Sequence, residues 1–349
     1  MAGIESPQFH MPAEWEPHEG TWLAWPHEPS DWPGKFGVIP WVYCEIVRHL
    51  SRVEKVHILC PRAQLRPIRS MLERSGAHLP SVELIPCPTN RSWTRDYGPI
   101  FVWNQRGRLT ALDWKFNAWA KYDDWELDDA VAAKIARRLQ VPRVAPSWRG
   151  RRIVLEGGAI DVNGKGTLLA TEECLLGEQQ QRNPGLSRQE WEQIFYQYLG
   201  ADCVIWLKRG IAGDDTHGHI DDIARFAGPR TVMAARERKR EDVNYQPLRQ
   251  NWRLLQRASD QSGRPLELVE LPMPEPVYFA GQRLPASYAN FYLANQSVLV
   301  PVFNDPMDRV ALDIFERLFP QRTVIPIYCR DLVLGLGALH CMTQQQPAA

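Results

Sequence analysis

Short apolar runs flank turn residues at four places along the chain. The runs lie within residues 97–114, 157–171, 219–235 and 289–303, and the turns fall at residues 104–107, 163–166, 228–229 and 295–296. Apolar runs on both sides of Asn, Gly or Pro are typical of two strands joined by a tight turn. The sequence therefore predicts four β-hairpins.

Segments with the apolar spacing of helices separate these hairpins. In the last segment, Val310, Ile314 and Leu318 recur at every fourth position, so they share one helix face. The predicted helices cover residues 41–53, 126–140, 187–199, 243–262 and 307–319, and the strands predicted after three of them cover 204–207, 266–271 and 323–327. The repeating unit is a hairpin, a helix and a strand, used about five times.

A polar residue stands before or at the start of each hairpin, at intervals of about sixty residues. These residues are Asp96, Glu156, His219 with Asp221, and Asn290, and Cys341 opens a further short run, HCMT. A regular recurrence of this kind indicates repeated structural units. We predict an α/β fold in which the units surround an axis, residues 20–26 pair with the C-terminal run, and residues 1–349 form a single domain.

Composition narrows the functional classes. Lys and Arg number 41, as do Asp and Glu, so the formal net charge is zero, which argues against nucleic acid or an anionic membrane surface as the partner. Neither a signal peptide nor a long apolar run is visible, so no membrane association is expected. The seven cysteines form no CxxC pair, which favours free thiols and a cytoplasmic location.

The recurrent positions bring together one thiol, one imidazole and three carboxylates. An imidazolium near a thiol favours the thiolate, whereas carboxylates oppose it. A cationic substrate resolves this conflict, because a guanidinium is permanently charged and carboxylates bind its N–H groups in pairs. Its carbon is also an electrophile that a thiolate can attack. The set therefore indicates cleavage of a C–N bond in a small guanidino compound.

Several stretches also carry a family resemblance. They are MPAEWEPHEGTWLAWP (11–26), SWTRDYGP (92–99), LEGGAIDVNGKGTLLATEECLL (155–176), GDDTHGHIDD (213–222), ASYANFYLAN (286–295) and LHCMTQQQP (339–347). In these segments the chain resembles the agmatine deiminase family, within the guanidine-modifying enzymes that include arginine deiminases and bacterial peptidylarginine deiminases. The resemblance implies a five-bladed α/β propeller.

The same resemblance implies roles for individual residues. Cys341 would be the nucleophile and His219 the general acid and base, with Glu156 orienting His219. Asp96 and Asp221 would bind the guanidinium nitrogens. The implied reaction converts agmatine and water to N-carbamoylputrescine and ammonia through a covalent thiouronium, without a metal or an organic cofactor, in a homo-oligomer.

Two interpretations stay open for the residues around this set. Trp93 either stacks on the planar substrate or packs in the core. Asp215, with Asp214, either meets a second cationic end of the substrate or belongs to a solvated acidic loop. Leu336 and Ala338 depart from the Gly-Gly-Gly-Asn run that the family carries before its nucleophile, which leaves arginine, peptidyl-arginine or another alkylguanidine as alternative substrates.

Other classes of function also fit part of the pattern. His217, His219 and Asp221 alternate, so on a strand they would face one way and could hold a zinc ion for a metal-dependent hydrolase. Alternatively, His217 shapes the entrance or lies on the surface. Transfer of the amidino group to an amine and non-catalytic guanidine binding are the remaining alternatives.

Overall fold

The computed structural model describes residues 7–348. Its helices are α1 (Ile39–Leu50), α2 (Leu65–Arg74), α3 (Thr94–Tyr97), α4 (Glu126–Asp129), α5 (Val131–Leu139), α6 (Glu172–Leu176), α7 (Arg188–Leu199), α8 (Tyr245–Leu255) and α9 (Pro306–Leu318). Its strands are β1 (Phe9–His10), β2 (His18–Ala24), β3 (Lys55–Cys60), β4 (Val82–Pro86), β5 (Ile100–Asn104), β6 (Leu109–Leu112), β7 (Arg143–Val144), β8 (Ser147–Trp148), β9 (Arg151–Arg152), β10 (Asp161–Val162), β11 (Thr167–Thr171), β12 (Cys203–Leu207), β13 (Ala224–Phe226), β14 (Thr231–Arg236), β15 (Glu267–Pro272), β16 (Tyr278–Phe279), β17 (Gln282–Arg283), β18 (Tyr292–Leu293), β19 (Ser297–Val302), β20 (Thr323–Tyr328) and β21 (Gln344–Pro347).

Five sheets share one plan, an antiparallel pair followed by a parallel third strand. They are β1-β5-β6-β7, β10-β11-β12, β13-β14-β15, β18-β19-β20 and β21-β2-β3-β4. A helix connects each parallel pair, because parallel strands need a long crossover. The connecting helices are α5, α7, α8, α9 and α1 in the same order, and α2 connects β3 to the additional parallel strand β4. The predicted α/β fold of hairpin, helix and strand units is thus confirmed.

The fifth sheet is built from both ends of the chain. β2 pairs antiparallel with β21, in a register that places Trp22 opposite Gln344 and Gly20 opposite Gln346. A hydrogen bond of 2.9 Å from Trp22 Nε1 to Gln346 Oε1 reinforces the pairing. The predicted pairing of residues 20–26 with the C-terminal run is therefore confirmed.

Local sequence explains where the elements begin and end. Ser187 and Asp305 each form a capping box with the residue three positions on, at the starts of α7 and α9. Gly200 ends α7 in the left-handed conformation that favours glycine. The inner faces of the helices pack on the sheets, where Trp191, Phe195 and Phe315 are fully buried.

Three predictions of secondary structure were wrong. The helix predicted over residues 126–140 is two helices, α4 and α5. The run that begins at Cys341 is a turn, and the strand starts three residues later at Gln344. Residues 220–222 form a short helical turn, so the strand of that hairpin starts only at Ala224.

No helix within residues 7–348 has the length and apolar character needed to cross a bilayer.

Candidate active site

The recurrent polar residues occupy equivalent places in the five sheets. Each lies just before the first strand of its hairpin: Asp96 before β5, Glu156 before β10, Asp221 before β13, Asn290 before β18 and Cys341 before β21. The five positions meet in the interior of the protein. All five residues are buried, and the convergence predicted from the repeat is present.

Cys341 lies at the centre of this cluster with its sulfur in contact with two polar groups. Asn290 donates a hydrogen bond of 3.1 Å from Nδ2 to Cys341 Sγ, and Sγ lies 3.6 Å from Asp221 Oδ2. Burial raises the pKa of the Cys341 thiol well above its usual value, and the charges of Asp221, Asp222 and Asp96 raise it further. The thiol is therefore protonated at neutral pH when no cation is bound.

His219 is surrounded by carboxylates without being hydrogen-bonded to them. Its Nδ1 lies 3.8 Å from Asp96 Oδ1 and 4.0 Å from Asp221 Oδ1, and its Nε2 lies 3.9 Å from Glu156 Oε2. Burial lowers the pKa of His219, but the charges of Asp96 and Asp221 raise it well above the usual value. The imidazole is therefore a cation that can donate a proton.

Asp96 is fixed by two donors. Trp119 Nε1 donates to Asp96 Oδ2 at 2.9 Å, and the Gly158 amide donates to Oδ1 at 3.1 Å. Burial raises the pKa of Asp96 to about 6, although the charge of His219 opposes that shift. The carboxyl group is consequently ionised at neutral pH and neutral in mild acid.

Gly158 leaves the space between these side chains open. A Cβ atom there would lie 2.5 Å from His219 Nδ1, 2.9 Å from Asp96 Oδ1 and 3.1 Å from Asp221 Oδ2. Distances this short are forbidden to a real side chain, so only glycine fits. Gly158 thus allows a close approach between the backbone and the three polar groups, while Gly157 allows one between the backbone and Arg95.

Glu156 and Asp221 each have one carboxylate oxygen bound to a neighbouring side chain and one oxygen without a partner among the described residues. Arg182 Nε donates to Glu156 Oε1 at 3.0 Å, and His340 Nδ1 lies 2.7 Å from Asp221 Oδ2. Within the described residues, Glu156 Oε2, Asp221 Oδ1 and both ring nitrogens of His219 have no hydrogen-bond partner. Buried polar atoms rarely stay unpaired. The arrangement therefore suits a ligand that donates several N–H groups to carboxylates.

A cavity of about 470 Å³ leads to Asp96 and Cys341. Its other walls include Trp93, Trp119, Phe279, Leu284, Leu336 and Asp215. Trp93 both lines this cavity and packs on Trp32, with the ring centroids 5.5 Å apart, so the two interpretations of Trp93 are compatible.

Charged groups at the outer end of the cavity are already paired. Tyr122 donates to Asp215 Oδ2 at 2.7 Å, and Lys121 pairs with Asp215 Oδ1. Arg91 also lines the cavity, but it pairs with Asp31 and with Asp124 and lies over the Tyr122 ring. Asp215 is thus part of the cavity wall, as one of the two interpretations requires, and Arg91 offers no unpaired cation.

The loop before Cys341 is shaped by its tryptophan neighbours. A Cβ at Gly335 would lie 2.6 Å from Trp32 Nε1, and one at Gly337 would lie 2.8 Å from the Trp93 ring. Leu336 between them adopts a φ of +66°, a left-handed conformation that is costly for leucine. The backbone therefore keeps a glycine-like shape at the position where Leu336 departs from the family pattern.

The metal-triad alternative for His217 does not fit the structure. His217 has a φ of +65°, precedes the turn that carries His219, and lines a separate cleft with Glu172 and Lys208. Two other sets of potential ligands lie close together among residues 7–348, namely Glu156, Cys174 and His219, and Asp221, Asp222 and Cys341. The expectation that the three alternating residues share a strand face was wrong, because residues 220–222 are helical.

Several residues of the site were missed at the level of sequence. Trp119, Arg182 and His340 hold Asp96, Glu156 and Asp221 in place. Of these three, only His340 had a sequence signal, its position directly before Cys341.

Asp214 was expected, with Asp215, either to meet a second cationic end of the substrate or to lie in a solvated acidic loop. Instead it accepts hydrogen bonds from the amides of Gly218 and His219, at 2.7 and 3.0 Å, and so fixes the loop that carries His219.

Arg95 does not pair with Asp96, its neighbour in the chain. It binds Glu14 at 3.3 Å and Gln345 at 2.6 Å. Asp96 therefore has no arginine partner among the described residues and is directed to the site by Trp119 and Gly158 alone.

Comparisons with known proteins agree with this geometry. The agmatine deiminase of Ectopseudomonas mendocina is 36% identical over 97% of this chain and 96% of its own length. A solved agmatine deiminase of Enterococcus faecalis is 31% identical, with a TM-score of 0.89 and coverage of 99% and 98% of the two chains. A C. jejuni agmatine deiminase solved with substrate bound is 31% identical, with a TM-score of 0.87 and the same coverage.

The sequence also matches one protein family over nearly its whole length. This is the Porphyromonas-type peptidyl-arginine deiminase family, and the match covers residues 10–347. That span includes the sheets and all of the candidate site residues. The chain belongs to the Porphyromonas-type peptidyl-arginine deiminase family.

Proposed function

We propose that the protein hydrolyses agmatine to N-carbamoylputrescine and ammonia. The observation that carries this proposal is the buried cradle in which Asp96 and Asp221 flank Gly158, with the thiol of Cys341 at 3.6 Å from Asp221. Buried carboxylates are tolerated when a bound cation offsets their charge. A guanidinium does so with a planar set of N–H donors and presents its carbon to the sulfur.

Binding of the cation activates the nucleophile. The carboxylates that raise the thiol pKa of Cys341 are neutralised by the guanidinium, so the pKa falls when substrate is bound. The thiol releases its proton to solvent as the cation binds, and the thiolate attacks the guanidinium carbon. The C–N bond breaks, protonated His219 donates its proton to the departing nitrogen, and ammonia leaves a thiouronium on Cys341.

Hydrolysis of this intermediate restores the protein. His219, now neutral, takes a proton from a water molecule that attacks the same carbon. The C–S bond breaks, the sulfur recovers its electron pair, and the ureido product leaves. Glu156, 3.9 Å from His219 Nε2 and anchored by Arg182, stabilises the imidazolium in both half-reactions.

The cavity favours agmatine over arginine. Trp93, Phe279 and Leu336 provide an apolar wall that suits a short methylene chain. An α-carboxylate would need an unpaired cation, and the guanidinium of Arg91 already pairs with Asp31 and Asp124. Asp215 also lines the cavity, but Lys121 already pairs with it, so it adds no unpaired charge for the tail of either substrate.

Ammonia release from agmatine, arginine, an arginyl peptide and methylated guanidines tests the proposal. We expect turnover of agmatine to exceed that of arginine and of the peptide at equal concentrations. Cys341→Ser should lower the agmatine rate by at least about 10³-fold, because the hydroxyl is a far weaker nucleophile. Preferential release from arginine or the peptide would contradict the proposed substrate, and a new guanidine formed with an added amine would indicate amidino transfer instead.

We also propose that residues 1–349 form one domain, which assembles as a homo-oligomer in the cytoplasm. Contributions from all five sheets to one site favour a single folding unit. The seven cysteines are free thiols, which suits a reducing compartment. Light scattering tests the oligomer, a single cooperative unfolding transition tests the domain, and cell fractionation tests the location.

A further inference from the structure

His340 bridges two buried carboxylates next to the nucleophile. Its Nδ1 lies 2.7 Å from Asp221 Oδ2, and its Nε2 lies 2.8 Å from Glu14 Oε2. All three side chains are at least nine-tenths buried. His340 therefore connects Asp221 in the site to Glu14 on the segment before β2.

The two contacts determine where the protons are. A neutral imidazole has one N–H donor and one acceptor nitrogen, and its acceptor would face a carboxylate oxygen, which is also an acceptor. Two short contacts with carboxylates are satisfied together when both nitrogens carry protons. The pKa values of Glu14 and Asp221 are both lowered, so both carboxylates are ionised and an imidazolium satisfies the two contacts together.

The surrounding charges balance this cation. Glu14 also pairs with Arg225 at 2.9 Å and with Arg95 at 3.3 Å, and Arg225 pairs with Asp161 at 2.9 Å. Arg95 Nε donates to the His340 carbonyl at 3.3 Å. With His340 protonated, three cations (Arg95, Arg225 and His340) face three anions (Glu14, Asp161 and Asp221). A neutral His340 would leave one buried negative charge in excess.

We propose that His340 is a positioning residue for the deimination reaction, which as a protonated bridge to Glu14 holds Asp221 ionised and oriented toward the guanidinium and Cys341. This inference rests on the proposed function, because it assigns Asp221 to cation binding. His340 itself does not touch the substrate and acts through Asp221.

The pKa of Asp221 supports the bridge. Burial raises the pKa of Asp221, but the hydrogen bond and the charge of His340, with the charge of His219, outweigh burial and lower it. An ionised carboxylate is required to bind a guanidinium. Loss of the His340 charge would raise the pKa of Asp221 and move the acid limb of the pH profile to higher pH.

Two substitutions of His340 remove its positive charge and each keep only one of its two hydrogen bonds. The amide nitrogen of asparagine takes the place of Nδ1, so His340→Asn keeps the donor to Asp221 and loses the donor to Glu14. Glutamine places its amide nitrogen near Nε2, so His340→Gln keeps the donor to Glu14 and loses the donor to Asp221. Both substitutions remove the positive charge.

Because the pKa of Asp96 is raised to about 6 and sets the first acid limb, the limb that belongs to Asp221 is measured in Asp96→Asn protein. There we expect both variants to shift the acid limb of kcat/KM for agmatine upward by about one pH unit or more. His340→Gln should in addition raise KM by about tenfold or more, since it loses a hydrogen bond to a charged group, while His340→Asn should raise KM less. His57→Gln is the matched control, because His57 is also buried and bonds a carboxylate, that of Glu83 at 2.8 Å. An unchanged acid limb in both variants, or equal rises in KM, would overturn the proposal.

Two further measurements keep the outcome decisive. If the variants do not fold, histidine nitrogen NMR of His219→Asn protein counts the remaining imidazolium ions between pH 7 and 8. One histidine with protons on both nitrogens supports the bridge, and none overturns it. If the wild-type protein ignores agmatine, the pH dependence of Cys341 inactivation by a cationic haloacetamidine reports cation binding directly. A shifted limb in the His340 variants then supports the positioning role although the proposed substrate is wrong.

Discussion

Cys341 Sγ lies 3.6 Å from Asp221 Oδ2, so the carboxylate proposed to bind the cation is also in contact with the nucleophile. In the empty site this contact suppresses the thiolate, because an anion next to a thiol favours its protonated form. In the occupied site the guanidinium neutralises that anion. Reactivity is therefore coupled to the presence of the correct charge.

This coupling predicts a preference for charged alkylating agents. At pH 7 a neutral haloacetamide should modify Cys341 slowly and a cationic haloacetamidine should modify it quickly. The rate with the cationic reagent divided by the rate with the neutral reagent should be at least about tenfold larger for Cys341 than for a small free thiol. Rates are measured by mass spectrometry of the Cys341 peptide. Asp221→Asn should move the neutral reaction to lower pH by removing the anion, and an unchanged pH dependence would contradict the assignment.

Asp96 predicts an acid limb in the activity. Its pKa is raised to about 6, so below that pH the carboxyl becomes neutral and cation binding weakens. We expect kcat/KM for agmatine to fall about tenfold per pH unit below about pH 6. Asp96→Asn should raise KM by about tenfold or more at pH 8. Asp123→Asn, at an exposed position, is the control. An equal effect of that substitution would refute the role of Asp96.

The two histidines of the same loop should differ sharply. His219→Ala should lower kcat by about 10²- to 10⁴-fold, the usual contribution of a general acid and base. His217→Ala should cost less than about threefold, because His217 lines a different cleft. Steady-state ammonia release compares the two variants, and comparable losses would show that the loop rather than the imidazole is responsible.

The ion pair of Arg182 with Glu156 should matter for stability as well as activity. Both side chains are almost fully buried, so Arg182→Met leaves an uncompensated carboxylate. We expect a loss of about 3–5 kcal/mol in the free energy of unfolding by urea, with partial recovery in the double variant with Glu156→Gln. Arg238→Met removes an exposed pair with Glu270 and should cost less than about 1 kcal/mol. Similar losses in both single variants would contradict the assigned burial.

The fold was predictable where local chemistry determines it. The Asn163–Gly166 turn contains two glycines with positive φ, and the Asn163 side chain accepts from the amides of Lys165 and Thr167 at 2.9 Å. Such contacts form between residues that are close in sequence, so the hairpin could be predicted from the residue types of its turn. The polar residues that start each hairpin could be identified for a different reason, because they recur at intervals of about sixty residues.

The supporting residues could not be predicted, because their partners are distant in sequence. His340 contacts Asp221 and Glu14, which are 119 and 326 positions away. Trp119 reaches Asp96 only because the residues around it adopt left-handed backbone conformations, with φ of +58° at Trp119 itself. Neither relation leaves a periodic pattern, so only the folded chain reveals them.

The pairing of β2 with β21 has a consequence for the order of synthesis. Cys341 and strand β21 are synthesised after every other part of the site, and the strand that β21 pairs with, β2, lies near the opposite end of the chain. A nascent chain that stops before Cys341 carries the acidic groups and the imidazole of the site, but it lacks the thiol and leaves the edge of β2 unpaired. The nucleophile and the last strand of the fifth sheet are therefore added together.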